Sequence, residues 1–186
     1  MDITLHLILA HFLADYPLQS DGMVAYKSKH FAGIVLHSLV HVATSVLLGL
    51  PFILQGHFWL AIAAVFATHN LFDQSKVWAQ RRFRKVNRFI FYVLDQIAHL
   101  AVIVGSSWLW LRNLTPDFGG FWLGVFQNST LVSFLLVLTL ATYFYDVSRW
   151  TYRNSKKPQP YVRDWKMMGR NALIVVVGFG IYWLAK

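Results

Sequence analysis

Four pairs of side chains able to bind a metal recur at a single spacing in this chain. They are His11 and Asp15 in HFLAD, His37 and His41 in HSLVH, His69 and Asp73 in HNLFD, and Asp95 and His99 in DQIAH. On a helix, an i, i+4 spacing puts both members on one face, about 6 Å apart along the axis. Imidazole and carboxylate suit zinc, iron, manganese or nickel. The chain has no cysteine, which excludes disulfides, thiolate metal sites and cysteine nucleophiles. Eight ligands exceed the needs of one tetrahedral ion. One ion with carboxylates orienting its histidines, or two ions about 3.5–4 Å apart, would use them better. A bound divalent ion brings the pKa of its water down to about 7 and polarises a phosphoryl or carbonyl oxygen. Asp15, Asp73 or Asp95 is then a candidate general base when not itself a ligand. Ser38 beside His37 is too little for a Ser/His/Asp triad.

The elements that carry these pairs read as membrane helices. Of the 186 residues, 56% are hydrophobic, 17% aromatic and only 13% charged, whereas soluble domains have about 25% charged residues. All eight acidic residues are aspartates. Six apolar stretches approach the roughly 20 residues that a bilayer core requires, at about 3–16, 31–54, 58–79, 89–111, 130–149 and 171–185. The first and last are short, and the first has the length of a re-entrant segment. Pro17, Pro51, Pro116, Pro158 and Pro160 fall at or near the proposed ends. The expected fold is therefore all-α: a single polytopic membrane bundle over 1–186. Residues 1–111 would form a four-helix core, and 112–186 would add helices five and six with a basic loop at about 150–170. The opening MDITLHLILAHFLADYP lacks a basic region and a small-residue cleavage site, so it reads as a retained helix and not a signal peptide.

Charge sets an expected orientation. With the N-terminus outside, fifteen of the seventeen Lys and Arg residues lie on inner connections, leaving Arg112 and Lys186 outside. The net charge of +9 then reflects topology and contact with anionic headgroups, not nucleic-acid binding. In this arrangement Asp15, His37, Asp73 and Asp95 lie about two turns inside the inner boundary, and His11, His41, His69 and His99 one turn deeper. The order within the pairs alternates with helix direction, His before Asp on helices one and three and Asp before His on helix four. Two layers result. The deeper holds four histidines; the shallower holds three aspartates and His37. An ionisable group at mid-membrane costs about 2.5–3.5 kcal/mol on insertion scales, so eight at matched depths require a common purpose. One intramembrane histidine alone would ordinarily be a hydrogen-bonded packing residue. His6, His30 and His57 lack a partner at helical spacing and read as interfacial or structural. Asp146 near Arg149 and Arg153 reads as a local ion pair, and the eight tryptophans as lipid-facing bulk and interfacial belts.

The motifs HFLADYPLQSD, HSLVH, THNLFDQSK and LDQIAH together resemble the bacterial integral-membrane family catalogued as domain of unknown function 3307, over about residues 5–110. The resemblance adds Gln19, Asp21, Lys27, Lys29, Thr68, Lys76 and Gln96 to the candidate site positions, as substrate contacts or supports for the ligands. Asp15-Tyr16-Pro17 stands where the family is expected to carry Asp-Phe-aliphatic. The family name implies no activity. A more distant similarity is to small membrane-bound proteins classed as metal-dependent hydrolases.

The leading functional expectation is a metal-dependent hydrolase of the bacterial inner membrane that opens to the cytoplasmic leaflet. It would hold one or two divalent ions, zinc first, with iron, manganese and nickel as alternatives. Its substrate would be a phospholipid or polyprenyl phosphate, with Lys27, Lys29, Lys76 and Arg81 placed to hold a phosphate at the inner end. The same lysines and arginine also fit the ordinary excess of basic residues there. Anionic membrane lipid is the expected partner, nucleic acid is not, and an oligomer or protein partner stays open. The alternatives are a metal-ion or proton pathway, for which Thr44, Ser45, Gln55, His57, Ser106 and Ser107 would line the outer half; a di-iron oxidoreductase, although the additional His-His clusters of membrane desaturases are absent; and a structural clamp for a partner protein.

Overall fold

The computed structural model describes residues 3–117, 119–155, 159 and 161–185, except for the side chains of Phe121 and Trp122. Of the positions named above, Pro158, Pro160 and Lys186 lie outside the described residues, as do Lys156 and Lys157 of the basic loop. Nine α-helices and no strand occur among those described. They are α1 (Ile3–Asp15), α2 (Asp21–Lys27), α3 (Phe31–Leu48), α4 (Gly56–Arg82), α5 (Arg88–Ser106), α6 (Phe121–Gln127), α7 (Ser129–Thr139), α8 (Tyr145–Arg153) and α9 (Trp165–Leu184). A π-helical turn at Ser107–Leu111 extends α5, and another at Leu140–Phe144 joins α7 to α8.

Four helical segments are long and apolar enough to cross a membrane: Phe31–Leu48, Arg88–Leu111, Ser129–Arg153 and Trp165–Leu184. The other two stretches differ for separate reasons. α1 is apolar but has 13 residues, about 20 Å of helix. α4 has 27 residues, about 40 Å, but Asp73, Lys76, Arg81 and Arg82 make its C-terminal half polar. α3 stops at Leu48 and not near residue 54, because Pro51 enters a short 3₁₀ turn, Leu50–Phe52. α9 starts earlier than its apolar run, at Trp165, where Asp164 accepts the Met167 amide at 3.0 Å and caps the helix.

α1, α3, α4 and α5 form a closed ring in which each packs on the next and α5 returns to α1. α7 lies against α1, α8 against α5, and α9 against α7. The cross-links show which ends meet. At one end Arg81 Nη2 donates to Ser28 O at 2.5 Å, and the Tyr16, Tyr92 and Ser148 hydroxyls form a chain with spacings of 2.7 and 2.9 Å. At the other, Leu54 N donates to Asp117 Oδ2 at 2.8 Å, Gln55 reaches Thr115 O, and His6 Nε2 meets Phe126 O at 2.8 Å. That second end encloses the apolar core of Ile3, Leu7, Phe52, Phe58, Ala61, Ile62, Ile103 and Leu111.

The short α2 was not expected from the apolar pattern. Ser20 caps it by accepting the Met23 amide at 3.2 Å. Gly33, in the first turn of α3, lets it fold back: a Cβ there would stand 2.5 Å from the Lys27 backbone nitrogen. This close approach aims Lys27 at α4.

Asp146 corrects the sequence reading. It is buried, and its Oδ2 accepts the Tyr161 hydroxyl at 2.6 Å, whereas Arg149 pairs with Asp164 at 3.2 Å. Asp146 faces inward under the returning chain, while Arg149, three residues on, faces the start of α9. Burial, and then the adjoining Asp146 carboxylate, hold the Tyr161 phenol above its ordinary range.

Candidate metal centre

All eight paired side chains converge inside the α1/α3/α4/α5 ring. The deeper layer is a circuit of imidazoles. Ring centroids are 5.2 Å apart for His11–His41, 3.9 Å for His41–His69, 4.2 Å for His69–His99 and 5.3 Å for His99–His11. Each ring comes from a different helix, so the circuit follows the helix order. All four histidines are buried.

The shallower layer holds the carboxylates and His37. Asp15 Oδ1 lies 3.0 Å from both His37 Nε2 and His41 Nε2, and those two nitrogens are 3.3 Å apart. Tetrahedral coordination with bonds near 2.0–2.1 Å places donor atoms about 3.3 Å from one another, so this triangle already has the edge lengths of such a site. With His69 the donor atoms form a quartet, all within 4.8 Å of one another. A second group, His69, Asp73 and His99, meets the same limit. The two groups share His69, and a single nitrogen lone pair cannot bind two ions.

The fit of a cation is supported by what the donors lack. Buried polar atoms are almost always hydrogen-bonded. Here His11 Nε2, His69 Nε2, both ring nitrogens of His99 and Asp95 Oδ1 are buried without a hydrogen-bond partner. One such atom is an ordinary exception; here five lie in one buried cluster, and His69 and His99 among them belong to groups of donors close enough to share an ion. These are buried groups that could hold a metal ion, and the donor set leaves the element open.

Lysines complete the electrostatics. Lys76 Nζ bridges Asp73 Oδ1 at 3.1 Å and Asp95 Oδ2 at 2.6 Å, and Lys27 Nζ donates to Asp73 Oδ2 at 3.2 Å. Asp15 has no lysine; its second oxygen accepts Gln96 Nε2 at 3.0 Å and lies 3.6 Å from His11 Nε2. Lys27 and Lys76 are thus committed to carboxylates and are not free cations awaiting a phosphate. Of the remaining positions, Gln19 Nε2 lies 3.3 Å from His37 Nε2, and Arg81 is held by Ser28 O. Lys29 and Asp21 are exposed at the same end and make no ion pair among the described residues. Thr68 donates its hydroxyl to Ala64 O at 2.7 Å. It lines a cavity of about 10 Å³ with His11, His69 and His99, the room of about one water.

The lysine bridge was partly visible in the sequence, since Lys76 follows Asp73 by three residues on one helix face. Lys27 had no such signal, because its partner is 46 residues away. Tyr16 is buried with its hydroxyl on Tyr92, a bond that a phenylalanine at that position would not make. His6, His30 and His57 lie outside the cluster. His6 is bonded to Phe126 O, His30 precedes α3, and His57 is exposed in the first turn of α4.

Fold and site together define a class: an all-helical membrane-type bundle with a buried His/Asp cluster at one end of its central ring. The chain belongs to the family described as "Protein of unknown function (DUF3307)", whose model matches residues 3–117. That match covers α1 through α5 and so the whole cluster. No curated protein and no solved structure matches the chain. Any activity is therefore argued from the site alone.

Proposed function

We propose that this chain is a multi-pass metalloprotein of the bacterial inner membrane, with six spans and the N-terminus outside. Its centre binds a divalent transition ion, zinc first, through Asp15, His37, His41 and His69, and hydrolyses a phosphate ester of a phospholipid or polyprenyl phosphate from the cytoplasmic leaflet. The observation that carries the metal reading is the set of buried, unpartnered imidazole nitrogens around the Asp15 quartet. Six spans follow if the polar half of α4 is shielded by its neighbours and α1 is completed by flanking residues; the basic inner connections then support the orientation.

Hydrolysis is supported by where the cluster opens. The Asp15 and Lys76 side chains retain 10% and 20% exposure at the basic end, where a headgroup would lie. Beyond the histidines, Leu7, Phe58, Ala61, Ile62 and Ile103 close the bundle with apolar contacts, which favours chemistry at one face over passage through the ring. When bound, the ion supplies Lewis acidity and an activated water. Asp15 and the histidines would hold it, Gln96 and Gln19 orient Asp15 and His37, and Asp73 and Asp95 hold the Lys76 ammonium beside the reacting position. Asp73 and Asp95 are the remaining candidates for accepting a proton.

The test has two stages. Protein purified without chelator should contain stoichiometric metal by elemental analysis, and His37→Ala/His41→Ala should not. Metal-loaded protein in vesicles should then release phosphate or a headgroup from a lipid panel, and His41→Ala should abolish release. Metal-free wild type would remove the reading at its base, whereas stoichiometric metal with no release across the panel would leave a structural clamp.

A further inference from the structure

A second cation position adjoins the Asp15 quartet, and a side chain of the protein fills it. Lys76 Nζ sits between Asp73 and Asp95, within 3.1 and 2.6 Å of one oxygen of each. Beside this carboxylate pair stand donors with no hydrogen bond. Asp95 Oδ1 is unpartnered, as are both nitrogens of His99, which is 4% exposed and points Nε2 to within 4.0 Å of that oxygen. His69 Nε2, also unpartnered, is 3.8 Å from Asp73 Oδ2. Donors for a second ion thus adjoin the two carboxylates, and an ammonium group already sits on those carboxylates.

We propose that the centre is a metal–lysine pair: one divalent ion in the Asp15, His37, His41 and His69 quartet, and the Lys76 ammonium on Asp73 and Asp95 supplying the charge that a second divalent ion beside His99 would otherwise bring. This deepens the metal reading above and rests on it. Charge supports a single ion. With neutral imidazoles, three carboxylates face two ammonium groups, so one divalent ion leaves the buried cluster with one positive charge in excess. A second ion would raise the excess to three, which a low-dielectric site disfavours strongly. Ligand supply agrees, because His69 serves only one ion and the second would have to take Asp95, which Lys76 holds at 2.6 Å. A lysine there provides the positive charge that a dimetal site draws from its second ion, without dependence on a second metal.

The consequence is a latent site that opens when Lys76 is removed. Wild-type protein, Lys76→Met, Lys76→Arg and Lys27→Met are equilibrated with excess zinc, desalted and analysed for zinc per chain. The expected contents are one ion for wild type, two for Lys76→Met, and one each for Lys76→Arg, which keeps the charge, and Lys27→Met, which leaves Lys76 in place. Lys76→Met remaining at one ion, or wild type holding two, would overturn the proposal. Wild type holding none would instead remove the metal reading beneath it. If Lys76→Met loses its monodisperse elution profile, zinc-edge X-ray absorption of the wild type decides. A shell of nitrogen and oxygen with no metal–metal vector supports the pair, and a vector at about 3.5–4 Å overturns it.

Discussion

The two ends of the central four-helix ring are built from the same helices and packed by opposite rules. Towards one end, Leu7 of α1, Phe58, Ala61 and Ile62 of α4 and Ile103 of α5 pack into one apolar cluster. Gly49 admits the Phe58 ring so closely that a Cβ there would lie 2.5 Å from it. One to two turns further along the same helices come five imidazoles, three carboxylates and a bridging ammonium, several of them short of a partner. The apolar end holds the helices together by close packing, the main contribution available between helices in lipid. Unpaired buried polar groups cost free energy, and here they are concentrated at one end of the ring.

That comparison is broken most sharply at Asp15, the one carboxylate whose partners are imidazoles and not lysines. Asp15→Ala should lower zinc affinity well beyond the ~10–100-fold that follows loss of an outer partner, because it removes a ligand and frees His37 and His41 together. Titration with a competing chelator reads this, and unfolding of the metal-free protein in denaturing detergent should change little. Retained affinity would mean that the quartet is not the ion's site.

Phe58→Ala probes the other end and should do the reverse. Phe→Ala in soluble cores costs about 3–5 kcal/mol. In lipid the separated helix still buries the ring among acyl chains, so only the packing part survives, and a loss of about 3 kcal/mol or somewhat less is expected. Detergent unfolding measures it, with the zinc affinity of the folded fraction unchanged. A fall in affinity comparable to that of Asp15→Ala would show that the two ends are one mechanical unit.

The halves were not equally legible in the sequence. The His/Asp pairs were legible, because an ionisable residue in an apolar run is costly and four pairs at one i, i+4 spacing stand out from it; the folded chain brings all eight side chains together. The long apolar helices were read from hydropathy, although α9 begins six residues before its expected start because Lys166 and Arg170 extend a capped helix beyond the apolar run. Less visible was everything that depends on chain reversal. α2 has seven residues and no apolar periodicity long enough to register. Its fold-back on Gly33 is a backbone contact, and with it went the role of Lys27. Lys27 and Lys76 were read as inner-rim positions that hold a phosphate, support the site residues or belong to the ordinary basic excess there; the folded chain pairs both with Asp73, and Lys76 also with Asp95. Asp146 failed for the same reason, since Tyr161 reaches it only after the chain has turned.

Gln96 sharpens the comparison at a smaller scale. Its Nε2 donates to Asp15 Oδ2 at 3.0 Å, and its other amide atom, Oε1, has no hydrogen bond. Gln96→Leu keeps the volume and removes the donor. Zinc affinity should fall about tenfold, at the low end for loss of an outer partner, and Gln96→Glu should not restore it, because a second carboxylate would oppose Asp15. Calorimetric titration with zinc reads both variants; an unchanged affinity in Gln96→Leu would reduce the amide to packing.

The smallest effect lies outside the ring, at Asp164 before α9. The Met167 amide, and after it the pairing with Arg149, hold this carboxyl below the usual carboxylate range. A carboxyl whose pKa is lower when folded stabilises above its unfolded value and loses that contribution as pH falls through the folded one. The first turn of α9 should therefore loosen only below about pH 4, seen as faster amide hydrogen exchange at Met167 and Met168. Asp164→Asn keeps an oxygen for the cap but cannot titrate, so the acid-side change should vanish while the α9 start stays formed at neutral pH. Because Asp164 is remote from every candidate ligand, zinc content should be the same in both proteins across that range of pH, apart from the acid release of metal that protonation of the histidines causes in each. A difference in zinc content between the two would extend the polar end of the comparison to the chain beyond α8.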